Sequence, residues 1–107
     1  MYTQSDINNL ISKFVNLVSD EFPIKSVYLF GSYAKGEAKE YSDIDLAVVS
    51  DKFEGSRFFD KEKLNKYILK TSIDLEIHPF RTVDFTEDNP FVKEIITNGI
   101  KVNISDL

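Results

Sequence analysis

The sequence predicts an α/β or α+β sandwich in which a small sheet is flanked by helices, and three observations predict it. Residues 5–22 place Ile7, Leu10, Ile11, Phe14, Leu17 and Val18 on one helical face. Residues 71–80, TSIDLEIHPF, alternate instead: Ile73, Leu75 and Ile77 face one way and Ser72, Asp74, Glu76 and His78 the other. Between them, SVYLF (26–30) and SDIDLAVVS (42–50) are short β-branched and aromatic runs bounded by turn residues. The element order is therefore helix, strand, strand, helix, strand, helix.

Each element has its own punctuation. Ser5 is placed to cap the first helix, which Pro23 ends. The strand at 26–30 runs into Gly31, and a short helical or irregular piece follows over 32–40. Residues 51–59 are loop-like, with Gly55 as the breaker and Phe53, Phe58 and Phe59 clustered as a satellite core or an exposed partner-binding patch. A helix over 60–70 carries Leu64, Tyr67 and Ile68 on one face and the lysines at 61, 63 and 66 on its solvated face. Pro79 closes the third strand, which leaves His78 as a surface or turn residue. A last helix over 88–98 carries Phe91, Val92, Ile95 and Ile96, with Asn98-Gly99 as its C-terminal cap. IKVNI then adds an edge strand or packs down. No repeat, low-complexity segment or linker divides residues 1–107, which read as one domain.

Composition narrows the function. With 107 residues, 42% of them apolar and 13% aromatic, the chain can bury one real core. Its formal charge of −5 is the opposite of the basic footprint that neutralises a phosphate backbone, so direct binding of polymeric nucleic acid is not expected. A small phosphate ligand is compatible with that charge, because a few local donors or a metal can hold it. The absence of cysteine excludes disulfides, zinc–thiolate sites and thiol catalysis. No basic leader precedes an apolar run, and VYLF and LAVV are too short to cross a bilayer, so no membrane partner and a cytoplasmic location are expected.

The chemistry concentrates in GSYAKGEAKEYSDIDLAVVS, residues 31–50. A strand running into Gly31-Ser32 and a helical start is a phosphate-binding geometry: glycine admits the backbone closely, and the serine hydroxyl and the N–H groups of the first turn donate to an anion. The same dipeptide can also be only a turn. Ten residues on, Asp43 and Asp45 share one strand face, their α-carbons about 7 Å apart. They repel each other and would repel a nucleoside triphosphate, and divalent cations reverse both signs, which makes the pair metal ligands rather than a solvated strand start. Asp74 lies on the polar face of the next strand and joins the cluster if the two strands are neighbours, bridging a metal and taking a proton from an incoming hydroxyl. Glu76 has the same parity and is its rival. The acids begin their strand, unlike the Asp-x-Asp of haloacid dehalogenase-type phosphohydrolases, and Leu46, Ala47 and Val48 stand where an EF-hand needs glycine and oxygen ligands.

Gly31-Ser32, ten residues, Asp43-x-Asp45 and a later Asp74 together resemble the nucleotidyltransferase superfamily that includes DNA polymerase beta. Still more closely, the chain resembles the minimal nucleotidyltransferase domains whose partners are HEPN-domain proteins, through its leading helix, VYLFGSYAKGEAKEYSDIDLAVV, the IDL strand and EIITNGIKV. The resemblance implies the nucleotidyltransferase fold, with a small mixed sheet. It implies that Gly31, Ser32 and the adjoining backbone hold the triphosphate of ATP, with Lys35 beside them. Arginine is common near Tyr33 and Lys35 in relatives, and a lysine is a point charge without the bidentate fork. It implies that Asp43 and Asp45 bind two magnesium ions, and that Asp74 shares one and activates the acceptor hydroxyl. In-line attack on the α-phosphorus then releases pyrophosphate.

Larger relatives carry a further helical domain for the acceptor, so here the acceptor is expected in trans. By resemblance it is a HEPN ribonuclease toxin, with this chain as its antitoxin adding AMP to a tyrosine. Two other readings stay open: an antitoxin that neutralises by docking alone, and a nucleotidyltransferase subunit that modifies a small molecule.

Overall fold

The computed structural model describes residues 1–106. Its first helix, α1 (Gln4–Val18), is capped by Thr3 rather than Ser5: the Thr3 hydroxyl accepts from the Asp6 N–H while the Asp6 carboxylate accepts from the Thr3 N–H. It ends well before Pro23, and its face of Ile7, Ile11, Phe14 and Val18 is buried.

Four strands follow the expected segments with sharper limits. Strand β1 (Ser26–Phe30) runs into the one-turn helix α2 (Ser32–Lys35), and β2 (Ile44–Val49) begins after Asp43. Helix α3 (Arg57–Thr71) is capped by Ser56 and starts earlier than its apolar spacing alone marks. Strand β3 (Leu75–Phe80) excludes Ile73, which sits in the preceding turn and is exposed, so the predicted alternation holds only from Leu75 onward. After a 3-10 turn at Thr82–Asp84, α4 (Pro90–Asn98) is capped by Asn89, and β4 (Ile100–Val102) forms the edge strand.

The sheet order is β3-β2-β1-β4, with β1 antiparallel to β2 and β4 and β3 parallel to β2. The helix α3 makes the crossover that a parallel pair requires. Because β3 is an edge strand, Pro79 lies within it without costing a ladder bond on an inner strand. One face of the sheet packs Val27, Leu29, Ile44, Leu46, Val48, Leu75 and Ile77 against α1 and against Leu64 and Ile68 of α3. Phe53 belongs to this core, tilted against Phe22 at 5.1 Å, whereas Phe58 and Phe59 are exposed, so the three phenylalanines do not act as one cluster. Asp60 is buried and accepts from the N–H groups of Glu54 and Gly55, tying the loop before α3 to the helix.

The opposite face carries Tyr28, Phe30, Asp45, Ala47, Glu76, His78 and Phe80 in adjacent register positions. Phe91 of α4 and Phe85 cover its distal part through a chain of ring contacts: Phe30–Phe91 at 5.6 Å, Phe80–Phe85 at 5.2 Å and Tyr28–Phe85 at 5.3 Å. Aromatics thus wall one end of this face, and acids crowd the other. Among the described residues no helix is long and apolar enough to cross a membrane.

Phe14, fully buried where α1 meets the sheet, is the test of the core. Phe14→Ala is expected to cost about 3–5 kcal/mol, read as a lower urea midpoint at unchanged slope.

Candidate active site

The site forms where β1 ends and β2 begins. Antiparallel pairing sets Phe30 opposite Asp45, so the residue after Phe30, Gly31, arrives beside the Asp45 side chain. Gly31 has φ +74° and ψ −152°, a conformation open to glycine alone, and a Cβ there would overlap Asp45 Oδ2. The Gly31 carbonyl accepts from the N–H groups of Ala34 and Lys35, both at 3.1 Å, which winds α2 directly behind the turn. Ser32 opens that helix and Lys35 ends it on the exposed side, before Gly36. Gly31 and Asp45 are therefore brought together, with Ser32 next to Gly31 in the chain at the start of α2.

Asp43 precedes β2 and is exposed, while Asp45 is half-buried. Burial pushes the Asp45 carboxyl above the ordinary aspartate range, and the negative charges of Asp43 and Glu76 add to the push. Glu76 is the register partner of Asp45 on β3. Lys61 of α3 donates to it at 2.6 Å, and that bond lowers the Glu76 pKa. Asp74 lies in the turn before β3 and directs Oδ2 to the hydroxyl of Tyr2 at 2.5 Å, while its own N–H donates to Ser72 Oγ. The donation to Asp74 raises the Tyr2 pKa. The two rival third acids thus occupy distinct places: Glu76 faces Asp45, and Asp74 carries a tyrosyl hydroxyl at the strand's start.

His78 is the functional candidate that sequence reasoning missed. It is not at a strand end but inside β3, buried, with Phe30 and Phe91 packed on its ring at 4.9 and 5.8 Å. Arg57 donates to Nδ1 at 2.8 Å, and Nε2 lies 3.5 Å from Asp45 Oδ1, an ion-pair separation too long and poorly aimed for a hydrogen bond. Burial first and Arg57 second lower the His78 pKa, against the smaller pull of Asp45, so the ring is neutral at neutral pH. The strand parity of His78 with Asp74 and Glu76 was the available signal. The same ring borders an open cleft of about 640 Å³ lined also by Arg57, Phe80, Arg81 and Phe91.

Carboxylate oxygens are the hard donors that magnesium takes, and a half-buried Asp45 pressed by like charges is what a divalent cation relieves. The residues fit such an ion, although among the described residues no three acidic or histidine side chains converge on one as they stand.

A glycine turn closed on the strand-borne Asp45, with Asp43 just before that strand and a mixed sheet backed by two helices, is the arrangement of an enzyme of the nucleotidyl-transfer class. The chain belongs to the nucleotidyltransferase domain family, whose model matches residues 11–103. It is 33% identical over 101 residues to "Putative protein adenylyltransferase MJ1379" of Methanocaldococcus jannaschii, covering 94% of this chain and 97% of that one. It is 29% identical over 76 residues to the protein adenylyltransferase MntA of Thermococcus cleftensis, covering 70% of this chain and 77% of that one. Among solved structures, one described as a toxin-antitoxin with AMP-PNP superposes with a TM-score of 0.57 at 24% identity, over 83% of this chain and 68% of that one.

Two outcomes follow from this geometry. Gly31→Ala is expected to force Asp45 aside and weaken nucleotide binding at least 10-fold by calorimetry, a roughly 1.4 kcal/mol effect, while the core stays folded. Asp45→Asn is expected to raise Tm at neutral pH. With the folded pKa raised, the unfolded chain ionises first, so wild-type stability falls as pH climbs from the ordinary aspartate value of about 3.9 through the folded value. Asparagine escapes that loss, and the difference in Tm should vanish when thermal melts are taken below that window.

Proposed function

We propose that this chain is a magnesium-dependent protein adenylyltransferase that moves AMP from ATP onto a hydroxyl, a tyrosine's, of a partner protein, and that it acts in the cytoplasm as antitoxin to a HEPN ribonuclease toxin. The observation that carries the reading is the closure of the Gly31 turn on Asp45, which sets a phosphate-gripping backbone against an acid pair. The names of the relatives support adenylyl transfer to protein, and the toxin-antitoxin neighbour with its AMP-PNP supports both a toxin partner and ATP.

In this reading Gly31, Ser32 and Lys35 hold the triphosphate, and Asp43 and Asp45, with Asp74, are the metal ligands. Magnesium, when bound, neutralises phosphate charge and aligns the leaving group. Asp74 orients the acceptor hydroxyl and takes its proton. The hydroxyl oxygen forms a bond to the α-phosphorus as the bond from that phosphorus to the β-phosphate oxygen breaks, and pyrophosphate leaves. The contact of Tyr2 with Asp74 supports this role, because the carboxylate already accepts from a phenolic hydroxyl. Glu76 is the alternative third acid, supported by its position opposite Asp45.

The test is co-expression with a HEPN-domain toxin as partner, followed by intact-mass spectrometry with each nucleoside triphosphate and magnesium. A gain of AMP units on the partner, abolished in Asp43→Asn/Asp45→Asn, is expected; full protection from the toxin by that double variant would reassign the chain to neutralisation by docking. Asp74→Asn is expected to lower kcat at least 100-fold, and Glu76→Gln by less than 10-fold, consistent with about 10²–10⁴-fold for a general base. The reverse ranking in single-turnover assays transfers the base role to Glu76.

A further inference from the structure

We infer that His78 is a positioning residue for the transfer reaction: held by Arg57 in the tautomer that carries its proton on Nε2, it fixes the orientation of the Asp45 carboxylate so that one oxygen faces the nucleotide. The inference rests on the reading of Asp45 as a metal ligand and adds two residues to it.

The argument starts from the donors. A guanidinium has no acceptor, so the 2.8 Å contact between Arg57 and His78 Nδ1 requires a lone pair on Nδ1. In the neutral ring the proton then sits on Nε2. That atom is buried and has no hydrogen-bond partner among the described residues, a costly state for a ring N–H. The acceptor nearest at hand is Asp45 Oδ1, 3.5 Å away. A small rotation of the carboxylate closes the gap.

The other atoms leave His78 little freedom. Phe30 and Phe91 pack on its ring, and the strand register places it beside Ala47, whose methyl leaves room for the imidazole to reach the acid two residues earlier. On the far side of Asp45, Gly31 lies so close to Oδ2 that no Cβ fits. Asp45 thus has the ring nitrogen of His78 on its Oδ1 side and the glycine turn on its Oδ2 side. Ligating carboxylates are commonly held in this way by an outer donor, and removal of such a donor costs about 10- to 100-fold in metal affinity or activity. Arg57 is exposed and borders the cleft, so its remaining N–H groups are open to solvent while one locks the tautomer.

The test is calorimetry of a non-hydrolysable ATP analogue with and without magnesium, joined to nitrogen NMR of the imidazole and to steady-state kinetics. Wild type should show the Nε2–H tautomer. His78→Phe, which keeps the ring packing and loses the donor, should weaken magnesium-dependent binding about 10- to 100-fold, leave magnesium-free binding unchanged and lower kcat/KM for the magnesium nucleotide by a similar factor. His78→Gln, which can present an N–H near the Nε2 position, should recover part of the loss. Arg57→Ala should show mixed tautomers and a smaller loss, and being at an exposed position it carries the test alone if His78→Phe does not fold. An Nδ1–H tautomer in wild type, or wild-type magnesium-dependent binding in both His78→Phe and Arg57→Ala, overturns the inference. Asp45→Asn separates the two levels: if it too retains magnesium-dependent binding, the metal site itself is misplaced, and the role of His78 falls with it.

Discussion

The approach of Gly31 to Asp45 is the constraint on which the rest of the site depends. Antiparallel pairing of β1 with β2 sets Phe30 opposite Asp45, and the chain must turn in the next residue with no side chain in the way. Glycine satisfies both the positive φ and the missing space. That one contact joins the Gly31 turn to the segment of Asp43 and Asp45, ten residues on in sequence. It also helps to bury Asp45 part-way, whereas Asp43 stands before the strand and in solvent.

The two faces of the sheet divide the work. One face is wholly apolar and is closed by α1 and α3, which secures the register of β1, β2 and β3, since a slip of one residue would turn Ile44, Leu46 and Leu75 outward. The other face can then carry functional groups whose local energetics are unfavourable. A half-buried carboxylate there has a buried ring nitrogen without a hydrogen-bond partner among the described residues on one side and a glycine in a strained turn on the other. Such concentrations of unpaid cost are typical of sites that act on a ligand.

Much of this was legible in the chain itself. The periodicities located α1, α3, α4 and the first three strands, because burial on one face imposes a period on the side chains, while α2 and β4, each too short to carry a period, stay open in the sequence. Limits were less legible where side-chain caps decide them. Thr3 instead of Ser5 starts α1 because its hydroxyl and Asp6 reciprocate, and Ser56 extends α3 back into a stretch with no apolar signal. Ile73 has the parity of the core yet lies in a turn, and Phe58 and Phe59 share a composition with Phe53 yet point to solvent. Pattern alone does not say where a strand's pairing begins or which aromatic faces inward.

By itself the sequence determined the element order and the class of sheet, because burial on one face sets the period of each element, and it put Gly31, Ser32, Asp43 and Asp45 within one short stretch of chain. Only the tertiary structure decided what stands across from them. The parallel register of β2 with β3 put Glu76 opposite Asp45 and brought His78 within reach of the same carboxylate, and the return of α3 delivered Arg57 and Lys61 to those two side chains. The N-terminus delivered Tyr2 to Asp74. These contacts join residues from 15 to 72 positions apart, and they exist because helix and strand packing, not local propensity, sets which distant side chains meet.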